Sequence, residues 1–106
     1  MAIDILQTLE VIEVMENFLI RKRPPENIRN QLDIGYKIED QTIIIFEIRP
    51  KWNKPEILLE HPFAKTTFVK ANNTWKVFWM PADLKWHSYS PQPTVKRLIE
   101  FTYLVE

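Results

Sequence analysis

Seven side chains in this sequence combine charge with flat aromatic surface: Arg49, Trp52, Lys65, Asp83, Lys85, Trp86 and His87. An arginine fork binds carboxylate or phosphate, and indole faces stack on rings or cations. Together they would make a binding surface for a protein, a peptide or a nucleic acid. They meet only if a strand ending near Arg49 converges with one starting near Lys85. Asp83 precedes His87 by four residues, so its carboxylate can orient the imidazole as a general base. No nucleophile accompanies that pair. The only serines, Ser88 and Ser90, lie outside any nucleophile elbow. A lone histidine among aromatic strand residues commonly donates a structural hydrogen bond, so no catalytic residue is assigned.

One enzymatic pattern competes. Asp40, then Glu47 and Arg49, is faintly similar to the carboxylate–carboxylate–lysine arrangement of metal-dependent nucleases. Strand residues two apart share a face, and Asp40 and Glu47 offer oxygens to a magnesium ion. Arginine stands in place of the lysine, however, and a simple Glu47–Arg49 ion pair explains the spacing. A metal-dependent nucleic-acid-processing enzyme is therefore the alternative to a non-enzymatic binding module. His61 and His87 are the only histidines, and no dense carboxylate motif accompanies either, so no metal site is assigned. Gly35 is the single glycine, which excludes phosphate-cradling loops and dinucleotide fingerprints. No cofactor is expected.

The absence of cysteine removes disulfides and thiolate chemistry and fits a reducing compartment. Fourteen basic and fourteen acidic residues cancel, which argues against bulk duplex DNA as partner. Asp4, Glu10, Glu13 and Glu16 interrupt the N-terminal apolar run, so it is neither a signal peptide nor a membrane span. A cytoplasmic protein is expected. At 106 residues the chain makes one domain, residues 1–106, with a single core.

These side chains need elements to position them. Asp4 can cap a helix running to about Ile20, with Ile5, Leu9, Ile12, Met15 and Leu19 at helical spacing. Leu6, Val11 and Phe18 widen that stripe enough for a second contact, such as a copy of the same helix. Arg21, Lys22 and Arg23 suit the negative end of the helix, and Pro24 and Pro25 break it. Residues 25–32 read as a short second helix. "DIGYKI" and "TIIIFEIRP" flank a two-residue turn at Asp40 and Gln41 that pairs Ile38 with Ile43, Tyr36 with Ile45, and Gly35 with Phe46. An aromatic side chain opposite a strand glycine covers the bare backbone. "NKPEILLEHP", with two prolines, reads as a loop. "FAKTTFVK" and "TWKVFWM" flank a turn at Asn72 and Asn73, which pairs Phe68 with Val77, Thr66 with Trp79 and Lys70 with Trp75. "KWHSYS" makes a fifth strand ended by Pro91 and Pro93, and "TVKRLIEFTYLVE" closes the chain as a helix. The fold class is α+β: an N-terminal helix, a short second helix, a five-stranded antiparallel meander and a C-terminal helix.

Strand alternation sorts the rings. Ala64, Thr66, Phe68, Trp75, Val77 and Trp79 share one side of the second hairpin, assigned to the helix-covered core. Trp75 and Trp79 are thus expected to be mainly core, and Trp86 lies just past a polar turn. The other side mixes Lys65 and Lys76 with Phe63, Phe78 and Met80. In the first hairpin both sides are apolar, with Ile44, Phe46 and Ile48 opposing Ile43 and Ile45. The C-terminal helix, a homodimer partner or a ligand is expected to cover part of that second face.

"RPKW" at 49–52, "PFAKTTF" at 62–68, "WKVFWM" at 75–80 and "ADLKWHSY" at 82–89, in that order, resemble a bacterial family catalogued as domain of unknown function 3024. The resemblance spans about residues 18 to 89. It implies a small bacterial protein of unassigned role and carries over no catalytic residue.

Overall fold

A computed structural model describes residues 3–105 of the chain. Helix α1, Ile5–Lys22, starts at Asp4, whose carboxylate accepts the Gln7 N–H at 2.8 Å. Arg23 then donates Nε and a terminal nitrogen to the two oxygens of Asp33, each at 2.8 Å. That fork ties the end of α1 to the start of the sheet, and it holds the Asp33 carboxyl below the usual carboxylate range. The expected second helix shrinks to one 3₁₀ turn, Glu26–Ile28. The apolar content of residues 25–32 is too low to bury a longer helix against anything.

The sheet runs β1 (Asp33–Glu39), β2 (Thr42–Lys51), β3 (Lys54–Val69), β4 (Thr74–Trp79), then β5 (His87–Ser88), with β6 (Thr94–Val95) also on β4. All pairs are antiparallel. Helix α2, Leu98–Leu104, closes the chain, and its Glu100 carboxylate accepts the N–H groups of Lys96 and Arg97. The α+β meander flanked by two helices is the architecture expected.

The first hairpin has the expected register, with Ile38 opposite Ile43, Tyr36 opposite Ile45 and Gly35 opposite Phe46. A Cβ on Gly35 would lie 2.9 Å from the Phe46 ring, which therefore covers the glycine and is itself buried. Four details differ from expectation. Residues 54–62 form the first half of β3, because Pro50 and Pro62 lie where their missing N–H groups face no neighbouring strand. The β3–β4 turn is wider than two residues, pairing Val69 with Thr74 and Phe68 with Trp75, a register two residues from the expected one. A two-residue shift preserves the faces, so the division into core and outer sides holds. The fifth strand is split: the chain leaves β4 after Tyr89, whose N–H bonds to the Val77 carbonyl, and returns at Pro93, whose carbonyl accepts the Val77 N–H. The prolines make a detour rather than an end, and the closing helix starts only at Leu98.

Both helices cover the same face. Val11, Met15 and Phe18 of α1 and Leu98 and Phe101 of α2 pack on Ile43, Ile45, Ala64, Trp75, Val77 and Val95. Each large side chain so buried contributes about 1.5–3 kcal/mol, whereas α1 alone in water would be marginal. Trp75 is core as expected, but Trp79 is 45% exposed because the sheet outruns the helices at that end. Ile5, Leu6, Leu9 and Ile12 also lie exposed, so only the Val11–Met15–Phe18 side of the broad α1 stripe is used. The C-terminal helix does not cover the second sheet face.

Gly35→Ala is predicted to destabilise the protein by about 1–3 kcal/mol through overpacking. Denaturant unfolding should show a much smaller cost in a Phe46→Ala background.

Candidate functional site

The structure distributes the seven charged and aromatic residues over three places. Arg49 and Trp52 belong to an arm formed by the outer halves of β2 and β3. β1 reaches only Ile48, and β4 reaches only Ala64, so the hairpin beyond them has no third strand. Lys54 through His61 are all exposed, and the turn residue Trp52 is 91% exposed. On this arm Arg49 pairs with Glu47 at 3.3 Å. The β1–β2 register is unbroken, so the shift between Ile45 and Phe46 on the β2–β3 side reflects an extra β3 residue, Phe63. Alternation then puts Glu47 and Arg49 on the helix side. Ile48, Pro50, Leu58 and Glu60 fall on the helix-free side, as the 3.5 Å Lys37–Glu60 ion pair requires.

Lys65 and Trp86 meet on the helix-free face. The Lys65 ammonium lies 4.6 Å from the Trp86 ring centroid and 5.1 Å from that of Phe78. Lys37 stands 5.8 Å from the Phe46 ring on the same face. Lysine stems and heads thus lie over rings that no helix covers. This is the covering of the second face, supplied by the sheet's own side chains.

Asp83, Lys85 and His87 form the β4–β5 connection. One Asp83 oxygen accepts the Lys85 backbone N–H at 2.9 Å, and the other lies 2.7 Å from His87 Nε2. The Lys85 N–H first, and then His87, hold the Asp83 carboxyl below its usual range. These bonds close a turn that puts Leu84 at a φ of 60°. The His87 ring leans toward Trp79 at 6.4 Å, on the helix side of the sheet. Arg49 and Trp86 therefore lie on opposite faces, and His87 parts from Trp86 although adjacent in sequence.

The nuclease-like pattern does not assemble. Asp40 occupies the β1–β2 turn at a φ of 54°. Glu47 lies five strand steps past Thr42, about 17 Å along β2, too far to share an ion with it. Among the described residues no three histidine, aspartate or glutamate side chains come within reach of one metal. An open cleft of about 820 Å³ lies elsewhere, beside the start of α1, lined by Asp4, Glu10, Gln41, Phe68 and Asn73 among others. It contains none of the seven. Among the described residues no helix is long and apolar enough to cross a membrane.

The exposed apolar residues that sequence reasoning missed are Ile57, Leu58 and Leu59 on the arm. Three consecutive aliphatics between glutamates were the available signal. A family model covers residues 3–106 and describes a domain of unknown function, DUF3024. The chain belongs to the DUF3024 family. The match is wider than the segment in which the resemblance was legible. No curated protein and no solved structure matches this DUF3024 chain.

A double-mutant cycle on Lys65→Ala and Trp86→Ala in this DUF3024 protein should give a coupling energy of about 0.5–1 kcal/mol. Urea unfolding of the four variants measures it.

Proposed function

We propose that this DUF3024 protein is a non-enzymatic binding module that holds a protein partner through the β2–β3 arm and the helix-free sheet face continuous with it. The observation that carries the reading is the exposure of the arm's apolar groups: Trp52 at 91%, Leu58 at 60%, Ile57 at 40% and Leu59 at 38%. Leu58, opposite Pro50, faces the helix-free side and Leu59, opposite Arg49, the other, so the arm exposes apolar groups on both faces. Exposed apolar groups gathered in this way mark interaction sites, and tryptophan is among the residues enriched at binding hot spots. Burying these groups within the chain would require another layer, and both helices are already spent on the opposite face.

Of the seven residues, Trp52, Lys65 and Trp86 belong to this surface. Leu58 and Pro50 continue into Ile48 and Ile44, and Ile44 lies opposite Lys65, itself opposite Phe78. Arg49 flanks the arm from its other side. Asp83, Lys85 and His87 border the surface only as the turn that places Trp86. A nucleic-acid partner is less well matched, because Glu56 and Glu60 stand among the arm's aliphatics and the net charge is zero.

The test is affinity capture from native extract with purified protein, Trp52→Ala, Leu58→Asp and a control, Leu84→Ser, whose side chain is exposed outside the arm. Because all three sites face water, stability should change by no more than about 0.5 kcal/mol. The two arm variants should weaken a shared protein interaction by more than about tenfold, and the control should not. An interaction indifferent to both arm variants, or one removed by nuclease, contradicts the reading.

A further inference from the structure

We infer that the groove between α1 and the chain entering α2 binds a short peptide with both ends free, zwitterionic and apolar in its side chains. The inference does not involve the arm, which lies at the other end of β3. The groove has a volume of about 420 Å³, within the ~300–1,000 Å³ common to small-molecule sites. Its floor is the place where the core comes to the surface. Phe68 and Trp75 stand opposite each other on β3 and β4 with ring centroids 5.0 Å apart, and Val11 closes in from α1. One wall is α1, where Gln7, Glu10 and Val14 recur every three or four residues and Glu13 flanks them. The other wall is residues 96–99. Val95 pairs with Trp75, and the chain running on from it brings Lys96 and Arg97 past Trp75 toward Asn73.

Both walls are set in advance. Val11, Met15 and Phe18 hold α1 to the core. The Glu100 carboxylate accepts the N–H groups of Lys96 and Arg97 at 3.1 and 3.0 Å, which fixes where their side chains begin.

Charge selects the ligand. Glu10 and Glu13 stand on the α1 wall, and Lys96 and Arg97 on the other. None of the four forms an ion pair among the described residues. Two carboxylates and two cations kept apart over an apolar floor fit a molecule with one charge of each sign. An ammonium takes the Glu10 and Glu13 side. A carboxylate takes the Lys96 and Arg97 side, where the guanidinium offers it two parallel donors. Other classes fit less well. A phosphate would be drawn to one wall and repelled by the other. A metal ion finds only two carboxylates here, fewer than it needs. A neutral apolar molecule would leave all four charges unused.

Two amide side chains narrow the class to a peptide. Gln7 on α1 and Asn73 in the β3–β4 turn line both this groove and the adjoining cleft of about 820 Å³. Neither side-chain amide has a hydrogen-bond partner among the described residues. Each offers donors and an acceptor, which is what a peptide group requires. A free amino acid has the two charges but no peptide group between them. Phe68 and Trp75 supply apolar surface on which the ligand's side chains lie.

Titration of isotope-labelled protein with leucyl-phenylalanine, followed by amide chemical shifts, is the test. Saturable shifts are expected at Gln7, Glu10, Asn73 and Arg97, and none at Leu58 or Leu59 on the arm. N-acetyl-leucyl-phenylalanine and leucyl-phenylalanine amide each have one end neutral, and each should bind about tenfold more weakly. Two double variants assign the ends. Glu10→Gln with Glu13→Gln should abolish the preference for the free over the acetylated peptide and keep the preference over the amide. Lys96→Gln with Arg97→Gln should do the reverse. All four side chains are exposed, so both variants should keep native circular dichroism. No saturable shift in the groove at millimolar peptide overturns the inference. So does equal binding of the three peptides, or discrimination that neither double variant changes.

Discussion

Cohesion in this fold depends on one contact: two helices closed over the same face of a twisted sheet. Met15, Phe18 and Phe101 are fully buried there against Ile43, Ile45 and Trp75. Among the described residues no third α-helix is present to cover the other face. The remainder of the structure answers that limitation. Phe46 lies over Gly35, Lys65 lies over Trp86 and Phe78, and the buried Thr66 hydroxyl bonds the Lys76 carbonyl at 2.8 Å. Where such local covers run out, apolar groups stay in water, on the arm and on the outer side of α1.

The covered face was legible because local chemistry and the helical layer agree on it. Asp40 and Gln41 leave room for only a tight turn, so the register of the first hairpin followed, and with it the cover over Gly35. The second hairpin was less constrained. Asn72 and Asn73 both tolerate positive φ, but only Asn73 adopts it, at 55°, in a wider turn. Side-chain parity survived that error and the register did not. The inner faces of α1 and β4 were readable from period alone, whereas Trp79 shows that period does not reveal where a helical cover stops.

The arm was illegible for a different reason. Pro55 and Pro62 are loop signals in a strand with neighbours on both sides, yet a strand with one free edge accepts them. Reading 54–62 as a loop hid Ile57, Leu58 and Leu59 and left Trp52 without a setting. The seven-residue site suffered from the same gap. Its members were grouped by type, and alternation along β2 and across the β4–β5 turn separates them. Lys65 and Trp86 met as the composition suggested, while Arg49 turned to the other side.

Native-state hydrogen exchange tests most directly whether stability resides in the covered face and the arm stands outside it. Amides of Ile43, Ile45 and Thr66 should exchange only through global unfolding, with a matching denaturant dependence. Amides of Arg49, Leu59 and His61, bonded only within the arm, should exchange through local opening that denaturant hardly affects. Equal protection and equal denaturant dependence in both sets would mean that the arm is part of the cooperative core, and would contradict the account.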